Sequence, residues 1–199
     1  MEAGAVLFEK SRDEAAFRHA AVDIEALRER AAAGEIVLAY ADEVGFVQAH
    51  PLRSAWTRRG SEHRHLIQAK RGKRLNVLGA LLSTGEIFCT RLWQTWTADL
   101  FVGWLGLLKE HVGCALTVII DNAPIHTAKK IRPFIELLRS QGVTLYFLPP
   151  YSPELNRIER LWHKIKHTWM ELKCRNAQTL EADVANILDN FGGKYKFSF

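Results

Sequence analysis

The segment ALTVIIDNAPIH, residues 115–126, contains the most strand-like run of the chain. Its first six residues are apolar or β-branched, which predicts a buried strand. Asp121 follows the run directly, and Asn122 and an Ala-Pro pair then end the strand. An Asp-Asn pair at this place is also ordinary turn chemistry, so the segment alone favours a turn role for Asp121.

A second acid follows another short apolar run. Residues 36–41 are predicted to form a buried strand, and Asp42 and Glu43 come at its end. Taken alone, Asp42 is equally well explained as a helix cap or as a surface acid. Open α/β sheets place their ligands at the carboxyl ends of their strands, so parallel neighbours would bring Asp42 and Asp121 together. Converging carboxylates repel each other and favour a hard divalent cation such as Mg²⁺.

The remaining elements are predicted from the spacing of apolar residues and turn signals. The predicted strands are 45–50, 75–82, 86–93 and 143–148, and the predicted helices are 15–33, 98–111 and 129–141. A three-residue turn at 83–85 should join two of the strands as a hairpin. This order predicts an α/β fold with a mixed sheet covered by helices.

Glu159 lies in the first turn of a long amphipathic helix that is predicted to start near Asn156. The apolar side of this helix carries Ile158, Leu161, Trp162, Ile165, Trp169 and Leu172. A capping box, in which Glu159 reaches back to the Asn156 amide, would explain this acid in purely structural terms. The helix alone therefore leaves the role of Glu159 open.

The composition is typical of one globular domain without a membrane segment. The 199 residues are 48% hydrophobic and 25% charged, which is enough for one sizeable core. No apolar run reaches the roughly 18 residues of a membrane span, and acids occur too early for a secretory signal. We therefore expect a cytoplasmic protein.

The positive charge of the chain is concentrated in one segment. The whole sequence carries a formal net charge of +5. Residues 53–74 contain eight basic side chains and the single acid Glu62, so this segment alone has an excess of seven positive charges. The basic residues are Arg53, Arg58, Arg59, Arg64, Lys70, Arg71, Lys73 and Arg74. The segment predicts a surface that contacts DNA phosphates, and a solvated loop is the equally weighted alternative.

Three segments together resemble a known family. VLAYADE (residues 37–43), VIIDNAPIH (118–126) and LPPYSPELNRIERLWHKIK (148–166) resemble the conserved blocks of the mariner superfamily of DDE transposases, most closely its bacterial insertion-sequence branch. The 38-residue separation of Asp121 and Glu159 is close to the short spacing in that family. Arg157 departs from the pattern, since the family usually has proline there. The resemblance covers roughly residues 36–173 and lacks the helix-turn-helix region that recognises transposon ends.

The resemblance implies a fold, a reaction and a set of site residues. The fold would be ribonuclease-H-like, with a mixed five-stranded sheet flanked by helices, in residues 35–199, after an N-terminal helical linker in residues 1–34. Asp42, Asp121 and Glu159 would be the catalytic acids and would hold Mg²⁺, with Mn²⁺ as a substitute and two ions in the site. The reaction would be DNA strand cleavage followed by strand transfer from the new 3′ hydroxyl.

Further residues are expected to support this chemistry. His126 and Asn122, in the block that begins with Asp121, would orient the metal ligands, although a turn histidine bonded to backbone is the simpler explanation of His126. Lys164 and Lys166, on the helix of Glu159, would contact the DNA backbone, although exposed lysines on such a helix commonly face water.

The expected partners are double-stranded DNA, as transposon ends and target, a second copy of the chain in a homodimer, and a separate helix-turn-helix polypeptide. No membrane partner is expected, and the protein would act at the nucleoid. A non-catalytic DNA-binding or partner-binding remnant of a transposase is the main alternative, but the presence of all three acids favours retained chemistry. A nuclease of the same fold that cuts RNA strands or particular DNA structures is a third hypothesis, and the NRIERLW block argues against it.

Overall fold

The computed structural model describes residues 12–49, 72–171 and 173–197. Within these residues the strands are β1 (Val37–Val47), β2 (Arg74–Leu82), β3 (Ile87–Leu92), β4 (Leu116–Ile120) and β5 (Val143–Phe147). The α-helices in the same part of the chain are α1 (Glu14–Ala32), α2 (Ala98–Val112), α3 (Pro124–Thr127), α4 (Arg132–Ser140), α5 (Arg157–Lys164) and α6 (Ala177–Asp189). Strands and helices alternate after β3, in the predicted order.

The first strand is longer than the sequence analysis predicted. The prediction ended it at residue 41 and gave residues 45–50 to a separate antiparallel strand, which is wrong. The structure has one strand, β1, which runs through Asp42 to Val47. β2 stays hydrogen-bonded to β1 as far as Val47, whereas the parallel pairing with β4 stops at Tyr40. Asp42 therefore lies just beyond the point where β1 loses its β4 neighbour.

The sheet is mixed and has the strand order β3-β2-β1-β4-β5. β1, β2 and β3 form an antiparallel meander, and β4 and β5 add to β1 in parallel. The predicted hairpin between β2 and β3 is present, and Gly85 occupies the left-handed region there with φ of 89°. This topology places β1 and β4 side by side at the centre of the sheet.

Helices cover both faces of the sheet. Leu38 and Tyr40 of β1 point to one face and pack in a core with residues of α1, α5 and α6. Ala39 and Ala41 point to the other face and pack with residues of α2 and α4. All five residues of β4 are buried, as expected for a parallel strand that is covered on both sides. The predicted α/β fold with a mixed five-stranded sheet flanked by helices is confirmed.

The first helix packs against this sheet. Asp13 caps α1, because its side chain accepts hydrogen bonds from the amides of Ala15 and Ala16. Ile24 of α1 is buried in the core, and the Tyr146 hydroxyl of β5 donates a 2.8 Å hydrogen bond to Asp23. The division into a linker at residues 1–34 and a catalytic domain at residues 35–199 stays a prediction.

The segment after Asp121 is more broken than predicted. One helix was predicted over residues 129–141, but the chain forms the short α3, a 3-10 turn at Lys129–Ile131 and then α4. Pro133 lies in the first turn of α4, where its missing amide hydrogen costs nothing, and so the α-helix begins there.

The helix that carries Glu159 also ends earlier than predicted. α5 gives way to a π-helical turn at Ile165–Trp169, in which the Met170 amide donates to the Ile165 carbonyl. The buried Arg175 then donates to the Glu171 carbonyl and to Asp183 of α6, which folds the connecting segment onto α6. α6 was not predicted, although Asn176 and Thr179 form a capping box at its start.

Candidate active site

Asp42 and Asp121 lie at the same edge of the sheet. Tyr40 is the last residue of β1 that pairs with β4, so Asp42 lies two residues beyond that pairing. Asp121 directly follows the last residue of β4. The negative charge of Asp121 contributes to the raised pKa of Asp42.

Asp42 is a half-buried acid whose charged form is disfavoured. Burial raises its pKa to about 8, and the negative charges of Glu159 and Asp121 add to this shift. Asp42, Glu43 and Glu159 line one cleft of about 430 Å³, whereas Asp121 is not among the residues that line it. The cleft therefore brings carboxyl groups together, and a bound cation would favour the charged form of Asp42.

Glu159 is positioned by the start of α5. The buried Asn156 precedes this helix, and its side-chain amide donates a 2.9 Å hydrogen bond to the Ala41 carbonyl, next to Asp42. α5 has no side-chain cap, so the capping-box explanation of Glu159 is wrong. Burial raises the pKa of Glu159, Lys166 lowers it and Asp121 raises it again. Asn156 thus fixes the helix of the third acid to the strand of the first.

A glycine opposite Asp42 lets α5 approach the sheet. Gly79 of β2 is the register partner of Asp42. A Cβ atom at this position would lie 2.7 Å from Cη2 of the buried Trp162, which is too close for a rigid ring to accommodate. No role for Gly79 was predicted from the sequence, although a glycine inside a strand indicates such a close approach.

Asp121 has a different environment. Its carboxylate accepts hydrogen bonds from His126 Nδ1 at 2.8 Å and from the Ala123 amide at 3.2 Å. The hydrogen bond from His126 lowers the pKa of Asp121. His126 is buried, lies 3.3 Å from the Asp121 carbonyl and packs on the Phe101 ring at a centroid distance of 4.4 Å. Asp121 therefore takes part in a turn and also carries a fixed carboxylate.

Asn122 connects the ends of two parallel strands. Its side-chain amide donates a 2.7 Å hydrogen bond to the Leu148 carbonyl, just after β5. The Leu148 amide donates to the Ile120 carbonyl at 2.9 Å. Asn122 therefore holds the loop that leads from β5 to α5, and it supports Asp121 through the backbone.

The predicted DNA-binding residues lie in different places. Arg74 and Lys166 line the cleft with Asp42 and Glu159, and Lys73 is exposed next to Arg74. Gly45 makes room for Arg74, because a Cβ there would overlap the guanidinium. The amine of Lys164 instead lies 3.3 Å from the Lys196 carbonyl, near the Trp169 ring. The other predicted residues, Arg53, Arg58, Arg59, Arg64, Lys70 and Arg71, lie outside the described residues.

The three acids are chemically suitable ligands for a divalent metal ion, but their side chains are not arranged around a common ion position. Carboxylate oxygens are the ligands that Mg²⁺ and Mn²⁺ prefer, and the raised pKa of Asp42 reflects its burial beside two other acids. Within residues 12–49, 72–171 and 173–197, no group of three or more His, Cys, Asp or Glu side chains is arranged to hold a metal ion. Side-chain movement would be needed to bring Asp42, Asp121 and Glu159 onto one ion.

A family profile described as DDE superfamily endonuclease matches residues 37–181, which contain all three acids. The chain belongs to this family. The mariner-type resemblance of the sequence is therefore confirmed. This DDE-family chain is 28% identical over 132 residues to the insertion element IS630 uncharacterized 39 kDa protein of Shigella sonnei. That match covers 65% of the chain and 37% of the relative, so the chain spans well under half of the relative's length.

Solved structures agree with the fold of this DDE-family chain. The Mos1 mariner paired end complex with Mn superposes with a TM-score of 0.69 at 17% identity, covering 98% of this chain and 61% of the other. The catalytic domain of Mos1 mariner transposase superposes with a TM-score of 0.61 at 16% identity. The superposition covers 92% of this chain and 85% of the other. The predicted ribonuclease-H-like fold is confirmed.

Proposed function

We propose that the protein is the catalytic domain of a DNA transposase that cleaves DNA strands and transfers them in a reaction dependent on a divalent metal. Asp42, Asp121 and Glu159 would hold the metal, with Mg²⁺ as the natural ion, Mn²⁺ as its substitute and two ions in the site. The observation that carries this proposal is the meeting of Asp42 and Glu159 in one cleft, at the sheet edge where Asp121 directly follows β4. Membership of the DDE endonuclease family supports it.

The reaction follows from the donor set. The metal, when bound, supplies activation of a water and stabilisation of the leaving oxygen. Water attacks a backbone phosphorus, the bond from phosphorus to the 3′ oxygen breaks, and that oxygen leaves as a 3′ hydroxyl. In strand transfer the same hydroxyl attacks a target phosphorus and displaces another 3′ oxygen. Each step exchanges one phosphorus–oxygen bond for another, so no covalent protein intermediate is required.

The residues around the acids would position the DNA and the ligands. Arg74 and Lys166 lie in the cleft and would contact phosphates on either side of the broken bond. Burial lowers the pKa of Lys166, and Arg74 lowers it further, so an arriving phosphate would relieve repulsion between the two cations. His126 and Asn122 would hold Asp121 and its turn in place.

Double-stranded DNA, as transposon ends and target, is the proposed substrate, and the Mos1 paired end complex supports this choice. A homodimer and a separate helix-turn-helix polypeptide stay predictions, as does action at the nucleoid in the cytoplasm. None of the helices in the described part of the chain is long and apolar enough to cross a membrane.

Nicking of a supercoiled plasmid in Mn²⁺ tests the proposal without knowledge of the transposon ends. The wild type should convert the plasmid to the open circle, and Asp121→Asn should abolish the conversion while the fold is retained. Glu154→Gln is the matched control, because this acid lies in the same block as Glu159 but pairs with Arg12 at 3.1 Å. Equal nicking by wild type and Asp121→Asn would refute the assignment.

The non-catalytic remnant is not favoured, because Asp42, Asp121 and Glu159 are all present. It would be supported if neither the wild type nor Glu154→Gln nicked DNA while both bound it.

A further inference from the structure

Two histidines lie side by side on the wall of the acidic cleft. His163 in α5 and His167 in the following π turn are four residues apart, and their ring centroids are 4.4 Å apart with the planes inclined by 33°. Both side chains are exposed, and both line the cleft that also contains Asp42 and Glu159. The proposed reaction uses neither of them.

This spacing suits a shared metal ion. A cation about 2.1 Å from one nitrogen of each ring, in tetrahedral geometry, would hold the ring centres roughly 5 Å apart. The observed 4.4 Å is close to that distance before any side-chain adjustment. Histidines at i and i+4 on one helical face are a recurring way to build a two-nitrogen metal site.

Two other features of the cleft favour a cation at this place. Asp42, Glu43 and Glu159 supply three carboxyl groups to the cleft, against the two cations Arg74 and Lys166. The backbone under His167 is a π turn, with the Met170 amide bonded to the Ile165 carbonyl at 2.9 Å, and such turns are frequent at functional sites.

We propose that His163 and His167 form a two-histidine site for a late transition cation such as Zn²⁺ or Ni²⁺. Imidazole nitrogens prefer these ions to Mg²⁺, so this site and the three acids select different metals. Within the described residues no third His, Cys, Asp or Glu completes the pair, so water would have to fill the other positions. If the cleft also acts as proposed above, Ni²⁺ at this site should slow plasmid nicking, because the ion occupies the wall along which DNA would lie.

Calorimetric titration of the tag-free full chain with Ni²⁺ tests the site without DNA. Loss of a supporting residue already weakens metal binding by about 10- to 100-fold, so His163→Asn/His167→Asn should weaken Ni²⁺ binding by at least about tenfold. Each single variant should weaken Ni²⁺ binding nearly as much as the double variant does. His63→Asn/His65→Asn is the matched control, because it removes another closely spaced pair and should leave the Ni²⁺ affinity unchanged.

The acid variant Asp42→Asn/Asp121→Asn separates this proposal from the proposed function. It should keep Ni²⁺ binding and lose Mn²⁺ binding, whereas the two-histidine variant should do the reverse. Mn²⁺ binding that survives in Asp42→Asn/Asp121→Asn would count against the proposed function alone. The histidine site is overturned if Ni²⁺ binding is equal in wild type and His163→Asn/His167→Asn, or if it is lost with the acids.

Electron paramagnetic resonance with Cu²⁺ provides a second readout that does not depend on stability. The wild type should show hyperfine coupling to two imidazole nitrogens, and each single variant to one. Coupling to a single nitrogen in the wild type would overturn the two-histidine site.

Discussion

Asp42 and Asp121 lie at the same sheet edge but in opposite electrostatic states. Asp121 is held by His126, and that hydrogen bond lowers its pKa. Asp42 is buried beside two other acids, and its pKa is raised to about 8. One acid is already fixed in its charged form, while burial and two neighbouring acids disfavour the charged form of the other.

The difference suggests how the site would assemble. The turn after β4 is held without a ligand, because Asp121 accepts hydrogen bonds from His126 and the Ala123 amide and Asn122 donates to the Leu148 carbonyl. The wall formed by β1 and α5 is incomplete, because Asp42 and Glu159 repel each other. We expect a cation to bind first to the fixed carboxylate of Asp121 and then to draw in the other two acids.

The largest expected effect is on the pH dependence of stability in the absence of metal. Because the pKa of Asp42 rises from 3.8 unfolded to about 8 folded, ionising it in the folded state costs free energy. That cost is absent below about pH 4 and complete above about pH 8. Relative to Asp42→Asn, the wild type should lose about 2 to 4 kcal/mol of unfolding free energy between pH 5 and pH 8, allowing for its partial exposure.

Urea unfolding in EDTA at several pH values measures this difference. Parallel curves of unfolding free energy against pH for the wild type and Asp42→Asn would contradict the raised pKa of Asp42. When Mn²⁺ replaces EDTA, the wild type should lose less unfolding free energy between pH 5 and pH 8, since a bound cation stabilises the charged form of Asp42.

The second prediction concerns the approach of α5 to the sheet. Gly79→Ala should destabilise the protein by about 1 to 3 kcal/mol, because its methyl group would press on Trp162. It should also weaken Mn²⁺ binding, because α5 carries Glu159. Gly103→Ala is the control, since a Cβ there meets no atom within 4 Å and should leave both properties intact or slightly raise stability. Chemical unfolding measures the stability of the two variants, and calorimetry measures their Mn²⁺ binding. Equal stability and equal Mn²⁺ affinity of Gly79→Ala and Gly103→Ala would contradict the prediction.

The smallest effect tests the other acid. His126→Phe keeps a ring against Phe101 but removes the hydrogen bond to Asp121. The pKa of Asp121 should then rise towards its ordinary value, as measured by carbon-13 titration of its carboxyl group, and that of Asp42 should stay high. Metal affinity should fall about 10- to 100-fold, as for other residues that orient a ligand. Phe101→Leu keeps the hydrogen bond and should leave the pKa of Asp121 low. A pKa of Asp121 that stays low in His126→Phe but rises in Phe101→Leu would be inconsistent with the role of His126.

The sequence predicted most of the sheet because apolar, β-branched runs such as residues 115–120 are strands in almost any context. It did not predict that β1 continues through Asp42, since that depends on pairing with β2, which is distant in sequence. The early end of α5 was missed for a similar reason, because Arg175 and Asp183 fold the next segment back. The three acids were located by motif and strand position, but their different pKa values depend on burial and on His126.

Mn²⁺ binding by calorimetry, with the wild type compared with Asp42→Asn/Asp121→Asn and with Glu154→Gln, tests the central claim most directly. The account predicts binding to the wild type and to Glu154→Gln and none to the double variant, with all three proteins folded. Equal Mn²⁺ binding by the wild type and the double variant would contradict the assignment of these carboxylates to the metal site.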